Sequence, residues 1–382
     1  CKMKTYKMAA IFSNQHEYNE LLPLTEERSL STLYFAGKYR VMDFPLSSIV
    51  NAGVNSVYTL INQEKVRSYL DHLSGSKEWG LDTIGSYEYL DFYQKLMQKQ
   101  ASGNAYFDDL LNFLRTANTP YTVYIENKMI GNFDLQSVLN FHQEDGNKIT
   151  AVFKRVSEDN IAPDDQLFIL DEENTIISCQ QALDAQNQDR YNLGLSIYVA
   201  DTKWLITELE KAQRSGASTD IGQRLASLAA KYRTHAYEYT GYLHNIHDLA
   251  SYYKANMEML DKKKRDSLLY GNQKIITSIR NEVGTYFAKG SQVKNSMLAT
   301  GCRIEGTVDS SVVSRRVEVA KNSQVKSSIV MANCKFEPGS QVEYAVIDKN
   351  VVIKKNVTVK GTPQQPVVVK KGTILTKDLI NE

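Results

Sequence analysis

The sequence predicts an α/β domain followed by a parallel β-helix, and three observations carry that expectation. Short runs rich in β-branched and aromatic residues alternate with helical patterns through the first two-thirds of the chain. After about residue 265 a six-residue apolar spacing replaces the helical one. The 382 residues, 42% hydrophobic and 23% charged, suffice for two or three domains with sizeable cores.

Strands are predicted at residues 8–13, 56–62, 121–126, 149–155 and 194–200, in a mainly parallel sheet. Between them Phe107, Leu110, Leu111 and Leu114 fall at i, i+3, i+4 and i+7, one face of a helix. Residues 205–214 and 248–260 are further helix candidates. In the last third, Val313, Val319, Val325 and Met331 are spaced by six. After a five-residue step the series resumes as Phe336 and Val342, and after another as Ile347, Ile353 and Val359. Each hexapeptide would form one side of a triangular coil, whereas an antiparallel meander would alternate with period two. Residues 361–366, with Pro363 and Pro366 around two glutamines, read as a loop leaving the coil.

Charge excludes whole classes of partner. Lys and Arg number 45 and Asp and Glu 44, so the net charge is 45 − 44 = +1. That argues against a nucleic-acid or membrane-surface binder, which would carry a basic excess. The run Lys262-Lys-Lys-Arg265 reads as a solvated linker or helix end. Cys1, Cys179, Cys302 and Cys334 form no C-x-x-C pair and match no zinc ribbon, so a reducing compartment is expected. The first residues are basic and then too briefly apolar for a signal-peptide core, and no run of 18 apolar residues occurs. A cytoplasmic location is expected.

The segment Pro23-Leu24-Thr25, followed by Tyr34-Phe-Ala-Gly-Lys38-Tyr-Arg40-Val-Met-Asp43-Phe-Pro-Leu-Ser47, resembles the start of ADP-glucose pyrophosphorylases (glucose-1-phosphate adenylyltransferases), which read P-L-T … F-G-G-K-Y-R-I-I-D-F-P-L-S-N. Tyr252-Tyr-Lys-Ala-Asn256 is similar to that family's A-Y-W-x-A-N. The resemblance implies a nucleotide-sugar-transferase (Rossmann-like, GT-A type) α/β domain and a left-handed parallel β-helix of hexapeptide repeats. Boundaries are expected at 1–260 for the first, 261–290 for a linker and 291–382 for the second. It also implies Mg²⁺ and ATP as cofactor and substrate, with glucose-1-phosphate as the second substrate.

Several chemical positions depart from that pattern. Aligned back from Pro23, the family's L-A-G-G-x-G-x-R has Gln15, His16 and Tyr18 at its glycines and Glu20 at its arginine. Glycines there let backbone N–H groups approach a triphosphate, and a glutamate would repel it. No glycine occurs before Gly37. The family's two metal-binding aspartates become Lys128 and Asn245, with Glu126 and Asp248 nearby as conceivable replacements. The aspartate of G-T-A-D-A becomes Tyr106, and a sugar-phosphate lysine becomes Ala182. The basic residues Arg28, Lys38 and Arg40 fall where the family binds regulators, so they are anion-contact candidates, although Arg40 could instead pair with Asp43.

The resemblance therefore implies the regulatory, non-catalytic type of subunit, with no catalytic residues and no metal of its own. Its implied partners are a catalytic paralogue in a heterotetramer and a phosphate or sugar-phosphate effector, with no nucleic acid and no membrane. Lys128, an ammonium where a metal would sit, is expected to attract an anion. The rival is a working nucleotidyltransferase with an altered site. An acyltransferase on the β-helix would use a histidine at a coil interface, and none follows His247. His244 and His247, at i and i+3, are expected to be surface or capping residues and not metal ligands.

Overall fold

All seven residues of the strand Met8–Asn14 are buried, because it is an inner strand of a nine-stranded sheet covered on both faces. Met8, Ala10 and Phe12 point into one core and Ala9 and Ile11 into the other, the two-residue period of a strand. The computed structural model describes residues 7–73, 77–80, 87–186, 188–271, 273–279 and 281–381; Cys1 and the rest of the first six residues lie outside it. All five predicted strands form, at Met8–Asn14, Ser56–Ile61, Tyr121–Glu126, Ile149–Val156 and Tyr191–Asp201.

The sheet is parallel in only one half. Met8–Asn14 pairs in parallel with Ser56–Ile61 and Tyr121–Glu126, and Ser56–Ile61 with Tyr87–Phe92. Tyr191–Asp201 then runs antiparallel to both Tyr121–Glu126 and Ile149–Val156. The helices Asp108–Ala117, Thr202–Arg214 and Leu249–Glu258 match the predicted ones. The helix Asp43–Asn51 went unpredicted because seven of its nine residues are buried, leaving no polar stripe to mark a period. Lys262–Leu269 is also helical: Asp261 caps it, and Leu268 and Leu269 enter a core. Among the described residues, no helix is long and apolar enough to cross a membrane.

The last third is a left-handed parallel β-helix whose first described strand is Tyr286–Phe287. Its three faces are parallel sheets of six, six and five strands. Through the middle coils partner residues stand 17 apart, as Val319 with Phe336, Val325 with Val342 and Val313 with Val330, whereas nearer the start they stand 15 apart, as Val293 with Val308. Each middle coil is therefore 6 + 6 + 5 residues, which accounts for the five-residue steps. Met331 is the exception in the predicted series. Val330 fills the coil interior, and Met331 points outward into the junction with the first domain. Corners fall at left-handed asparagines such as Asn322, Asn333, Asn350 and Asn356, a conformation that short polar side chains tolerate. The 361–366 loop lengthens one step from 17 to 22, between Ile347 and Val369.

The two domains share a core. Phe35, Tyr39 and Phe44 pack with Tyr252 and Tyr253 and with Ile329, Met331 and Val346 of the β-helix. The two segments that carry the family resemblance therefore touch each other. Asn256 Oδ1 accepts the Ala36 N–H at 3.0 Å, and the Tyr252 hydroxyl donates to the Tyr34 carbonyl at 2.6 Å. Between them Gly37 has φ +78°, and a Cβ there would lie 3.1 Å from the Val313 carbonyl oxygen.

Gly37→Ala should therefore cost about 1–3 kcal/mol in urea unfolding. Gly53→Ala is the control, since Gly53 has φ +73° with open space around it, and it should cost about 1 kcal/mol. Equal losses would show that the Val313 contact contributes nothing.

Candidate functional site

The parallel strands end together. Ser13 lies opposite Glu126 in the register, so the chain leaves both strands on the same rim, where ligands of open α/β sheets bind. Lys128 and Asn245, 117 residues apart in sequence, meet here on one carboxylate. Asp165 Oδ1 lies 2.5 Å from the Lys128 ammonium, and its Oδ2 accepts from Asn245 Nδ2 at 2.6 Å and from the Ala162 N–H at 2.6 Å. Asp165, Lys128 and Asn245 are almost wholly buried.

The loop that follows the first strand closes over this centre. His16 Nε2 lies 2.7 Å from Glu126 Oε2, while the Tyr124 hydroxyl donates to the other oxygen at 2.5 Å. The Tyr18 hydroxyl accepts from Lys128 at 3.0 Å and donates to Asp164 at 3.0 Å. A cavity of about 120 Å³ remains, lined by His16, Glu126, Lys128, Asp164, Asp165 and Asp220. Burial opposes the His16 charge, yet Glu126 and Asp164 hold its pKa at about 9. Glu126 is in turn brought down to about 2 by His16 and Lys128, against the cost of burial. Burial likewise opposes the Lys128 charge, and Asp165 with its neighbours raises its pKa well above the usual lysine value.

These residues do not fit the Mg²⁺ that the resemblance implies. A dication needs free carboxylate oxygens, and those of Asp165 are engaged by an ammonium, an amide and a backbone N–H. Glu126 is occupied by His16 and Tyr124, and Asp248 caps the helix Leu249–Glu258 by accepting from Ser251 N, so neither is available as a metal ligand. Among the described residues, no group of three His, Cys, Asp or Glu side chains is placed to hold a metal.

The expectation that Lys128 attracts an anion needs correction, because Asp165 and Asp164 already take up its charge. Glu20 is exposed on a short 3₁₀ turn and does not line the cavity. Tyr106 lies in the core, its hydroxyl donating to the Ala212 and Ala217 carbonyls. Ala182 opens a short turn whose N–H donates to the Asp165 carbonyl. His244 is buried, 3.2 Å from Glu258, rather than on the surface, and His247 precedes the helix cap.

Of the three basic candidates, Arg28 is already engaged. Its guanidinium grips both oxygens of Asp348 in the β-helix at 2.8 and 3.0 Å, with each partner buried. Lys38 and Arg40 do come together, in a cavity of about 540 Å³ at the domain junction that Arg315, Arg316, Lys349 and Tyr34 also line. Arg40 stacks over Tyr34 at 3.4 Å and donates to the Thr32 carbonyl at 2.7 Å. Asp43 does not pair with the Arg40 guanidinium. It accepts the Arg40 backbone N–H and faces His72 at 2.6 Å.

With Asp71 and Glu282 as the acidic lining residues, the cavity carries 5 − 2 = +3. Burial lowers the Lys349 pKa most; Tyr34 opposes this and the Arg40 and Arg28 guanidiniums add to it. Arg315, Arg316 and Lys349 were missed in the sequence because they belong to coil repeats that read as structural. The signal was Arg315-Arg316, an adjacent cationic pair at a corner, with Arg316 in the left-handed conformation (φ 56°) that asparagine usually fills here.

Comparison with known proteins agrees with both halves. The nucleotidyl transferase family model matches residues 19–162, and a GlmU-like C-terminal hexapeptide model matches residues 283–366. The chain is similar to the glycogen biosynthesis protein GlgD of Bacillus subtilis (strain 168), with 30% identity over 96% of this chain and 97% of that one. The chain belongs to the GlgD type of the glucose-1-phosphate adenylyltransferase family. A GlgD of Geobacillus stearothermophilus is 28% identical over 96% of this chain and 97% of its own. A glucose-1-phosphate adenylyltransferase of Clostridioides difficile (strain 630) is 28% identical over 75% of each chain. Membership of the family carries the fold.

The His16–Glu126 pair sets a pH dependence. The folded pKa of His16, about 9, lies above its ordinary 6.5. Its stabilisation is thus full below pH 6.5 and fades as pH rises through 9. Glu126, held at about 2 against an ordinary 4.5, loses its contribution as pH falls from 4.5 towards 2. The melting temperature should fall between pH 6.5 and 9, and His16→Gln should flatten that slope. An NMR titration placing the His16 midpoint near its ordinary value would contradict the pairing.

Proposed function

We propose that this chain is the regulatory, non-catalytic subunit of a bacterial ADP-glucose pyrophosphorylase in glycogen biosynthesis. It would work in the cytoplasm, in a heterotetramer with a catalytic paralogue. One observation carries the reading: Lys128 and Asn245 converge on Asp165, so the rim where phosphoryl chemistry would be done is closed by an internal ion pair. Nucleotidyl transfer needs cationic stabilisation of charge developing on phosphate oxygens. Here the lysine charge is consumed by carboxylates, and Glu126 and Asp164 would repel a triphosphate. The names of its relatives support the pathway, and the altered rim supports the regulatory role.

A regulatory subunit shifts its partner by contacting that partner's active and inactive states unequally. The junction cavity is the natural input. Its charge of +3 suits a phosphate or sugar phosphate, and its walls come from both domains, so an anion there would bridge them. The rival reading, a working adenylyltransferase, draws on the similarity to the Clostridioides difficile enzyme.

Assayed alone with Mg²⁺, ATP and glucose-1-phosphate, the chain should make essentially no ADP-glucose, and it should raise the rate or effector response of a catalytic paralogue mixed with it. An enzyme-like rate from the chain alone would favour the rival. For the junction cavity, calorimetric titration with inorganic phosphate or sulfate should show binding that Lys349→Ala weakens about 10-fold, the loss of one charge-assisted hydrogen bond. Unchanged affinity would remove Lys349 from the site.

A further inference from the structure

Lys128 is among the largest fully buried side chains in the protein, and its charge comes to rest in a ring of oxygens. The ammonium lies 2.5 Å from Asp165, 3.4 Å from Asp164 and 3.0 Å from the Tyr18 hydroxyl. Glu126 and Asp220 line the same cavity, with His16 as the second cation. Asp164 and Asp165 are neighbours in sequence and both turn toward one point. Such carboxylates repel each other unless a cation stands between them. Oxygens from carboxylates and a hydroxyl around one centre are the surroundings a bound cation takes. Here the cation is delivered on a side chain from the end of the strand Tyr121–Glu126.

We propose that Lys128 is a tethered counter-cation: the chain's own ammonium occupies a cation-binding position and, through Tyr18, ties the 15–20 loop shut across the strand ends. Tyr18 links the two parts, accepting from Lys128 and donating to Asp164. His16 adds a second tie to Glu126. The loop is thereby held in a closed state that admits neither a free cation, whose place is filled, nor an anionic phosphate, which meets a ring of carboxylates. The proposal rests on the non-catalytic reading of this rim and deepens it.

Chemical rescue tests it. Lys128→Ala removes the tether and leaves the carboxylates facing a void that a short amine fits. n-Propylammonium, at about ten times its dissociation constant, should raise the melting temperature of this variant by about 2–3 °C. 1-Propanol, of similar shape and without charge, should not, and the unaltered chain should respond to neither. Hydrogen exchange at the amides of residues 15–20 should quicken about 10-fold or more in the variant and slow again with the amine. A second variant, Lys128→Met with Asp165→Asn, removes both charges of the pair; it should fold and show no amine response. Should Lys128→Ala fail to fold, recovery of folding with the amine supports the tether, and failure with it as well overturns it. The tether is equally overturned by an absent amine response, by an equal response to propanol, or by an equal response in the double variant. ADP-glucose formation by the unaltered chain is a separate readout: it would sink the subunit reading without altering the rescue result.

Discussion

The burial of one turn between two domains decides most of what this protein looks like. Residues 34–44 leave the sheet domain, reverse at Ala36 and Gly37, and return with Phe35, Tyr39 and Phe44 pressed against the helix Leu249–Glu258 and the β-helix. The reversal needs two successive positive φ angles, 47° and 78°, and is held by the Asn256 side chain and the Tyr252 hydroxyl. Behind it the Arg28–Asp348 pair crosses the same junction. A buried ion pair recovers its desolvation cost only with near-ideal geometry, and the two-pronged grip at 2.8 and 3.0 Å supplies that. Were the turn to shift, Lys38 and Arg40 on one domain and Arg315 and Lys349 on the other would no longer face one cavity.

Two centres on this frame have opposite electrostatics. At the rim of the sheet both cations are already held by carboxylates, His16 by Glu126 and Lys128 by Asp165 and Asp164, with Asp220 as a further acid. At the junction, five cations share a cavity with two acidic residues. The difference is one of accounting within each centre, since the whole chain sums to +1. A centre whose cations are taken up by carboxylates gives an incoming anion nothing, whereas a crowded positive one is relieved by it. One segment reaches both. The 15–28 stretch begins at the rim with His16 and Tyr18 and ends at the β-helix, where Glu26 and Glu27 pair with Lys370 and Lys371 just before Arg28 meets Asp348.

Much of the fold was legible because the hydrophobic period reports which face is buried. The coil positions Val319, Val325, Phe336, Val342, Ile347, Ile353 and Val359 are all interior, as a six-residue spacing requires. The series slipped at Met331 because the coil has an apolar outer wall there, shared with the sheet domain, so two adjacent residues are buried in different cores. The helix Asp43–Asn51 escaped for the same reason: burial on nearly all sides erases the stripe.

By itself, the sequence determined the two architectures, their order, and which residue types stand at the rim. Those are local properties of spacing and residue type. Only the tertiary structure decided how those rim residues pair. Asp165 gathers Lys128 and Asn245 from positions 117 residues apart, and neither pairing leaves a trace in local pattern. Arg28 could be read only as basic; which partner it faces depended on where the β-helix docks, and that placed Asp348 against it. Lys38 and Arg40 gained Arg315, Arg316 and Lys349 by the same docking. Charge reads from sequence as a property of one residue, and its effect depends on what stands within a few ångströms, which folding alone supplies.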